Sequence, residues 1–127
     1  MVIALDTNIA IDLLNGNSII EKIVSKYNSI YLPVTVCGEL LFGAKNSQRK
    51  EINQKRFLEF INSCIILENN LHVADNYAEI RLKLKMKGRP IPENDIWIAA
   101  VCISNEIKFI SRDKHFENIE NLDFIHI

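Results

Sequence analysis

Residues 1–16, MVIALDTNIAIDLLNG, fix the architecture. Val2 to Leu5 is wholly apolar and stops abruptly on Asp6, as expected of a strand buried on both faces of a parallel sheet. Asn8 to Leu14 then reads as a short helix closed by Gly16. A strand that hands straight over to a helix needs a crossover, and so a parallel neighbour.

The same alternation repeats outward along the chain. Ile30 to Val34, Cys64 to Leu67, Ile107 to Ile110 and Phe124 to Ile127 are the other strand candidates, giving five in all. Between them, Ser18 and Glu21 form a capping-box pattern ahead of a helix running to Tyr27. Thr35 is placed to cap a helix carrying Val36, Glu39, Leu40 and Phe42, and Ser47 to Asn62 reads as a longer amphipathic helix. Leu71 to Lys87 is helical with Gly88 just past its end, and Asn94 is placed to cap Asp95 to Ser104, a segment apolar on every side. Strands alternating with helices predict an α/β fold: a three-layer α/β/α sandwich around a five-stranded parallel sheet, formed by residues 1–127 as one domain.

Composition narrows the class. The chain has 127 residues, of which 48 % are hydrophobic and 24 % charged, with 4 Gly and 3 Pro, which excludes collagen-like, low-complexity and disordered classes. A chain of this size buries about two-thirds of its unfolded surface, enough for one core. The longest apolar run, Ile96 to Ile103, is far short of a membrane span, and Met1 to Leu5 lacks the basic start of a secretory leader. A cytoplasmic protein without membrane attachment is expected. Cys37, Cys64 and Cys102 are odd in number and widely spaced, so buried thiols are expected rather than disulfides or a zinc site.

Net charge is -1, so no bulk attraction to a polyanion follows from the total. Locally, Lys45, Arg49, Lys50, Lys55 and Arg56 share one stretch, and Arg81, Lys83, Lys85, Lys87 and Arg89 another. Two basic edges on an otherwise acidic molecule suit a phosphate polymer, provided the acids define a site.

Four acids stand in costly places. Asp6 ends the first strand, and Asp113 follows the fourth, so both belong at the carboxyl edge of the sheet, where such folds gather their function. Asp95 opens an enclosed helix, where the dipole favours an anion. Glu39 has Thr35, Val36, Phe42 and Gly43 as helical neighbours and no cation within a turn. Four carboxylates converging to about 6 Å would repel by roughly 3 kcal/mol per pair at an effective dielectric near 20. Either a carboxyl keeps its proton or a divalent cation sits among them, and oxygen ligands favour Mg2+ or Mn2+ over zinc. Taken singly, Asp6 or Asp95 could serve a helix end and Asp113 an Asx turn; their joint placement points to phosphoryl chemistry.

Four segments carry a resemblance: Leu5-Asp6-Thr7-Asn8, Val36-Cys37-Gly38-Glu39-Leu40, Asn94-Asp95 leading into Ile98-Ala99-Ala100, and Ser111-Arg112-Asp113-Lys114-His115-Phe116. Their order and spacing resemble the PIN domain along essentially the whole chain, most closely the VapC-type ribonuclease toxins of toxin–antitoxin modules. The resemblance implies an endoribonuclease dependent on Mg2+ or Mn2+, a homodimer, silenced by a cognate antitoxin protein and acting on transfer or ribosomal RNA to leave 5′-phosphate and 3′-hydroxyl ends. It makes Asp6, Glu39, Asp95 and Asp113 the catalytic and metal-binding acids, with Thr7, Asn8 and Ser111 as supporting polar residues. Where some relatives carry a further acid, this chain has His115, and Glu93 is a nearby acid in an exposed loop.

Arg49, Lys50, Arg81, Lys85 and Lys87 are candidates to track the RNA backbone. Asp12 reads as a solvated helix acid, Trp97 and the Phe residues as core, and His72 and His126 as surface residues. Two rival readings remain at this level. A haloacid-dehalogenase-like phosphatase also ends its first strand on Asp but wants an acid at the position of Asn8, and a non-catalytic binding module would not need the acids at all.

Overall fold

In a computed structural model, which describes residues 1–127, Val2–Leu5 forms strand β1 at the centre of a five-stranded sheet. Helices α1 (Thr7–Leu14) and α2 (Ser18–Val24) lead to β2 (Ser29–Pro33), and α3 (Val34–Lys45) and α4 (Lys50–Asn62) lead to β3 (Ile65–Leu67). Helices α5 (Leu71–Met86) and α6 (Glu93–Ser104) cross back to β4 (Lys108–Ser111), and a short 3₁₀ turn (Lys114–Asn118) precedes β5 (Phe124–His126). The strand order is β3-β2-β1-β4-β5, all parallel, with Ala4 of β1 in register with Tyr31 on one side and Phe109 on the other. Right-handed crossovers place α1 to α4 over one face and α5 and α6 over the other. The order in which strands are added reverses at β1, one half of the sheet growing through β2 and β3 and the other through β4 and β5, which makes the carboxyl ends of β1 and β4 the topological switch point.

The core explains why the ends of β1 and β4 are held firmly. Ile3, Ala4 and Leu5 of β1 and Phe109 and Ile110 of β4 are fully buried, and α6 buries Ile96 and every residue from Ile98 to Cys102. Phe109 meets Phe116 edge to face at 4.9 Å, which ties the 3₁₀ turn to β4 and fixes the segment after that strand. No helix is long and apolar enough to cross a membrane.

Element types agree with the sequence throughout, whereas several ends move. Asn17, not Ser18, caps α2, its Oδ1 accepting from the backbone N–H of Ile19 and Ile20 at 3.1 Å. That helix stops at Val24, so Tyr27 lies beyond it. Helices α3 and α6 start after Pro33 and Pro92, with no side-chain cap, so Thr35 and Asn94 lie inside their first turns. Proline has no side-chain acceptor to cap a helix, and its fixed φ is compatible with the extended N-cap position it takes in both. α4 begins at Lys50 rather than Ser47, whose hydroxyl instead donates to the carbonyl of Ala44 behind it. Gly88 sits just past α5 at φ +66°, the left-handed conformation that ends a helix most readily at glycine. Cys37 and Cys102 are buried, but Cys64 is half-buried at the end of the edge strand, where less covers it. Phe42 is 68 % exposed, against the expectation that every Phe belongs to the core.

The cap assignment is directly testable. Asn17→Ala should cost about 1 kcal/mol in urea denaturation, because two helical N–H groups lose their acceptor, while Ser18→Ala should cost only a few tenths.

Candidate active site

The switch point builds a polar cleft of about 560 Å³ whose lining contains no hydrophobic residue: Asp6, Thr7, Asn8, Glu39, Pro92, Glu93, Asn94, Asp95 and Asp113. Each acid arrives from a different element. Asp6 ends β1 and caps α1, Glu39 stands in the middle of α3, Asp95 in the first turn of α6, and Asp113 just before the 3₁₀ turn. The structure thus brings the four sequence-predicted acids into one depression, together with Thr7 and Asn8. Ser111 lies beneath them, fully buried.

Hydrogen bonds hold the acids in place. Asp6 is only 6 % exposed. Its Oδ2 accepts from the Ser111 hydroxyl at 2.5 Å and its Oδ1 from the backbone N–H of Thr7 at 2.9 Å. The Ser111 Oγ in turn accepts from the backbone N–H of Asp113 at 3.0 Å, so one hydroxyl links the ends of β1 and β4. Across the cleft, the Thr7 hydroxyl donates to Glu39 Oε1 at 2.7 Å, tying α1 to α3.

His115 is the residue that sequence reasoning missed. Its Nε2 lies 2.7 Å from Asp95 Oδ2, which joins the turn after β4 to the start of α6. The signal available in sequence was its position two residues after Asp113, within the Ser111-Arg112-Asp113-Lys114-His115-Phe116 segment. Only the packing of Phe116 behind it shows that its ring turns inward.

Burial, opposed by the hydrogen bonds from Ser111 and Thr7, raises the pKa of Asp6, and the charges of Asp113 and Glu39 push the same way. Asp95 is pushed up to about 6 by desolvation and then by the charge of Asp6, with His115 pulling against both. Neither Lys nor Arg lines the cleft to relieve this load. One ligand atom each from Asp95, Asp113 and His115 lie within 4.8 Å of one another, a spacing from which one ion can be bound. A donor set of carboxylate oxygens and a single imidazole, short of positive charge, fits a divalent cation.

The weaker candidates divide. Arg81 and Lys85 line a neighbouring groove of about 410 Å³ that shares Glu93 with the acidic cleft. Lys87 is engaged elsewhere, 2.8 Å from Glu120, and Arg49 and Lys50 open α4 without lining either hollow. The charge runs follow helix sequence, but helix faces and ion pairs divide them. Glu93 is held at the rim by Arg81 and Tyr77. Asp12 is not simply solvated but paired with Arg112. Trp97 packs half-buried against Tyr77 in a stack 4.0 Å apart, and His72 and His126 are exposed.

Comparison with known proteins agrees with this geometry. The family model described as the PIN domain matches residues 3–122. Ribonuclease VapC2 of Rickettsia felis is 30 % identical, over 96 % of this chain and 95 % of its own length. Ribonuclease VapC1 of Haemophilus influenzae is 32 % identical, over 98 % and 96 %. Among solved structures, the VapBC2 complex of Rickettsia felis bound to a promoter DNA fragment superposes with a TM-score of 0.90 at 28 % identity, covering 100 % of this chain and 99 % of that one.

The electrostatic load predicts a pH signature. Asp95 binds its proton more tightly folded than unfolded, so its contribution to stability is greatest in acid and falls as pH rises from its ordinary 3.8 to about 6. In chelator, Asp95→Asn should therefore be more stable than the parent by about 3 kcal/mol above that window, the two converging below it. Thermal unfolding across pH measures this, and a destabilised Asp95→Asn at neutral pH would assign the carboxylate a structural role.

Proposed function

The chain belongs to the PIN-domain family, and on that premise we propose that it is an endoribonuclease toxin of a VapBC-type toxin–antitoxin pair. The observation that carries this reading is the cleft at the switch point, whose lining holds the carboxylates of Asp6, Glu39, Glu93, Asp95 and Asp113 and neither Lys nor Arg. The haloacid-dehalogenase-like alternative falls with the family assignment, and a pure binding module gives no account of acids kept at this electrostatic cost.

Asp6, Glu39, Asp95 and Asp113 would hold Mg2+ or Mn2+, with His115 at the side of Asp95 and Asp113. The cation, when bound, supplies Lewis acidity toward a phosphodiester and lowers the pKa of water. The chain's own residues do the rest. Ser111 and the Thr7 N–H fix both oxygens of Asp6, so that carboxylate cannot rotate away. The Thr7 hydroxyl holds one oxygen of Glu39 and leaves the other free to turn toward the cleft. His115 orients Asp95 and can carry a proton at Nε2. Arg81 and Lys85, in the groove that shares Glu93 with the cleft, would attract the phosphates that flank the scissile bond, with Lys87, Arg49 and Lys50 as further candidates to hold the backbone.

The substrate class is RNA, with transfer or ribosomal RNA the target that the family resemblance favours, cut at single-stranded loops to 5′-phosphate and 3′-hydroxyl ends. The reading includes a cognate antitoxin partner, a homodimer and a cytoplasmic location. The relatives named ribonuclease VapC and the VapBC2 complex support the toxin and its partner.

Magnesium titration of the purified chain, scored by RNA cleavage, tests the proposal: no cleavage of total cellular RNA at any Mg2+ or Mn2+ concentration by a folded protein would refute it. Asp6→Asn should abolish cleavage. Ser111→Ala, which leaves every acid in place but frees Asp6 and Asp113, should lower activity about 10- to 100-fold. Mg2+ should raise the melting temperature more at neutral pH than in mild acid, because protonated carboxyls are poor ligands.

A further inference from the structure

Beside the acidic cleft lies a second hollow of about 590 Å³, lined by Thr7, Thr35, Gly38, Glu39, Phe42 and Asn94. Thr7, Glu39 and Asn94 also line the cleft, so the two form one continuous depression. Phe42 stands on α3 one turn beyond Glu39 and on the same face, and its ring is 68 % exposed while Val36, Cys37, Leu40 and Ala44 of the same helix are buried. It is the single hydrophobic residue of an otherwise polar lining. Gly38 leaves the floor open for a reason other than backbone conformation: it takes no left-handed φ, and an added Cβ would meet nothing within 4 Å.

From these observations, and resting on the ribonuclease reading, we infer that the Phe42 hollow is a base subsite, in which the nucleobase next to the scissile phosphate stacks on the Phe42 ring. The chemistry of the lining selects this occupant. A flat aromatic face left uncovered suits a heterocycle, and base stacking on an aromatic ring is tolerant of sequence. The Thr35 hydroxyl and the Asn94 amide offer donors and acceptors for a base edge. The one charged group in the lining is Glu39, with no cation present, so a phosphate is repelled from this hollow and directed to the cation-holding cleft alongside. Phe42 is thereby a residue that positions the substrate strand, and Thr35 and Asn94 are placed to set base preference.

Stopped-flow fluorescence with a short single-stranded RNA carrying 2-aminopurine at one position, on the intact chain in Mg2+, tests this inference. Cleavage of the same RNA is followed at longer times. Rapid quenching is expected at one labelled position. Phe42→Ala should abolish it and weaken binding about 5- to 150-fold, and Phe42→Tyr should restore it. Gly38→Leu, which fills the floor without backbone strain, should abolish the quench with an unchanged melting temperature. Quenching that persists in Phe42→Ala or in Gly38→Leu overturns the subsite even where cleavage is intact. A Phe42→Ala that alters the sedimentation coefficient but not the quench also overturns it, and assigns the ring to a contact between copies of the chain. Absence of cleavage together with normal, Phe42-dependent quenching refutes the ribonuclease reading while leaving the stacking site standing.

Discussion

Carboxylates from four separate elements face one cleft with no lysine or arginine in its lining, and much of the surrounding structure is arranged around that load. Like charges about 6 Å apart repel by roughly 3 kcal/mol at an effective dielectric near 20, a sizeable fraction of the stability of a domain this size. The pKa of Asp6 is raised and that of Asp95 is pushed up to about 6, in both cases chiefly by burial, with the neighbouring carboxylates adding to it. Strain of this kind persists only where the surrounding structure over-determines the groups that bear it. Here the Ser111 hydroxyl, the Thr7 hydroxyl and N–H and the His115 ring each fix an acid that would otherwise swing into solvent.

The backbone also relieves part of the load. Asp6 caps α1, Asp95 lies in the first turn of α6, and Asp113 precedes the 3₁₀ turn. Unpaired N–H groups at such ends carry partial positive charge, so the helix starts that the topology collects at the switch point are suited to anions. Glu39 is the exception, mid-helix on α3, where the Thr7 hydroxyl and not a helix start holds it. The same topology that brings β1 and β4 side by side places Ser111 where one oxygen can serve two acids.

The basic residues are organised differently. Lys83 and Lys87 both pair with Glu120 and lower its pKa, a clamp between α5 and the loop before β5 rather than part of the cleft. Arg81 and Lys85, from the same run of sequence, line the groove next to the acids. Exposed ion pairs of this kind contribute little stability, and Arg81 is paired in the same way with Glu93.

Much of this protein was legible in its sequence, because period and punctuation are local properties. Short, largely apolar runs, helical spacing between them and Gly88 past α5 sufficed for the parallel sheet and the helices, and the ordered motifs sufficed for the family. Helix starts were less legible at Asn17, Pro33 and Pro92, where adjacent residues compete for the cap and only backbone dihedrals decide. Tertiary structure alone decided which donors reach which acid, that His115 turns toward Asp95, that Lys87 faces Glu120 and Arg81 the groove beside the cleft, and that Phe42 stays uncovered. Those outcomes depend on which strand ends become neighbours and how helices rotate against the sheet, relations between residues up to a hundred positions apart that no local pattern of side chains encodes.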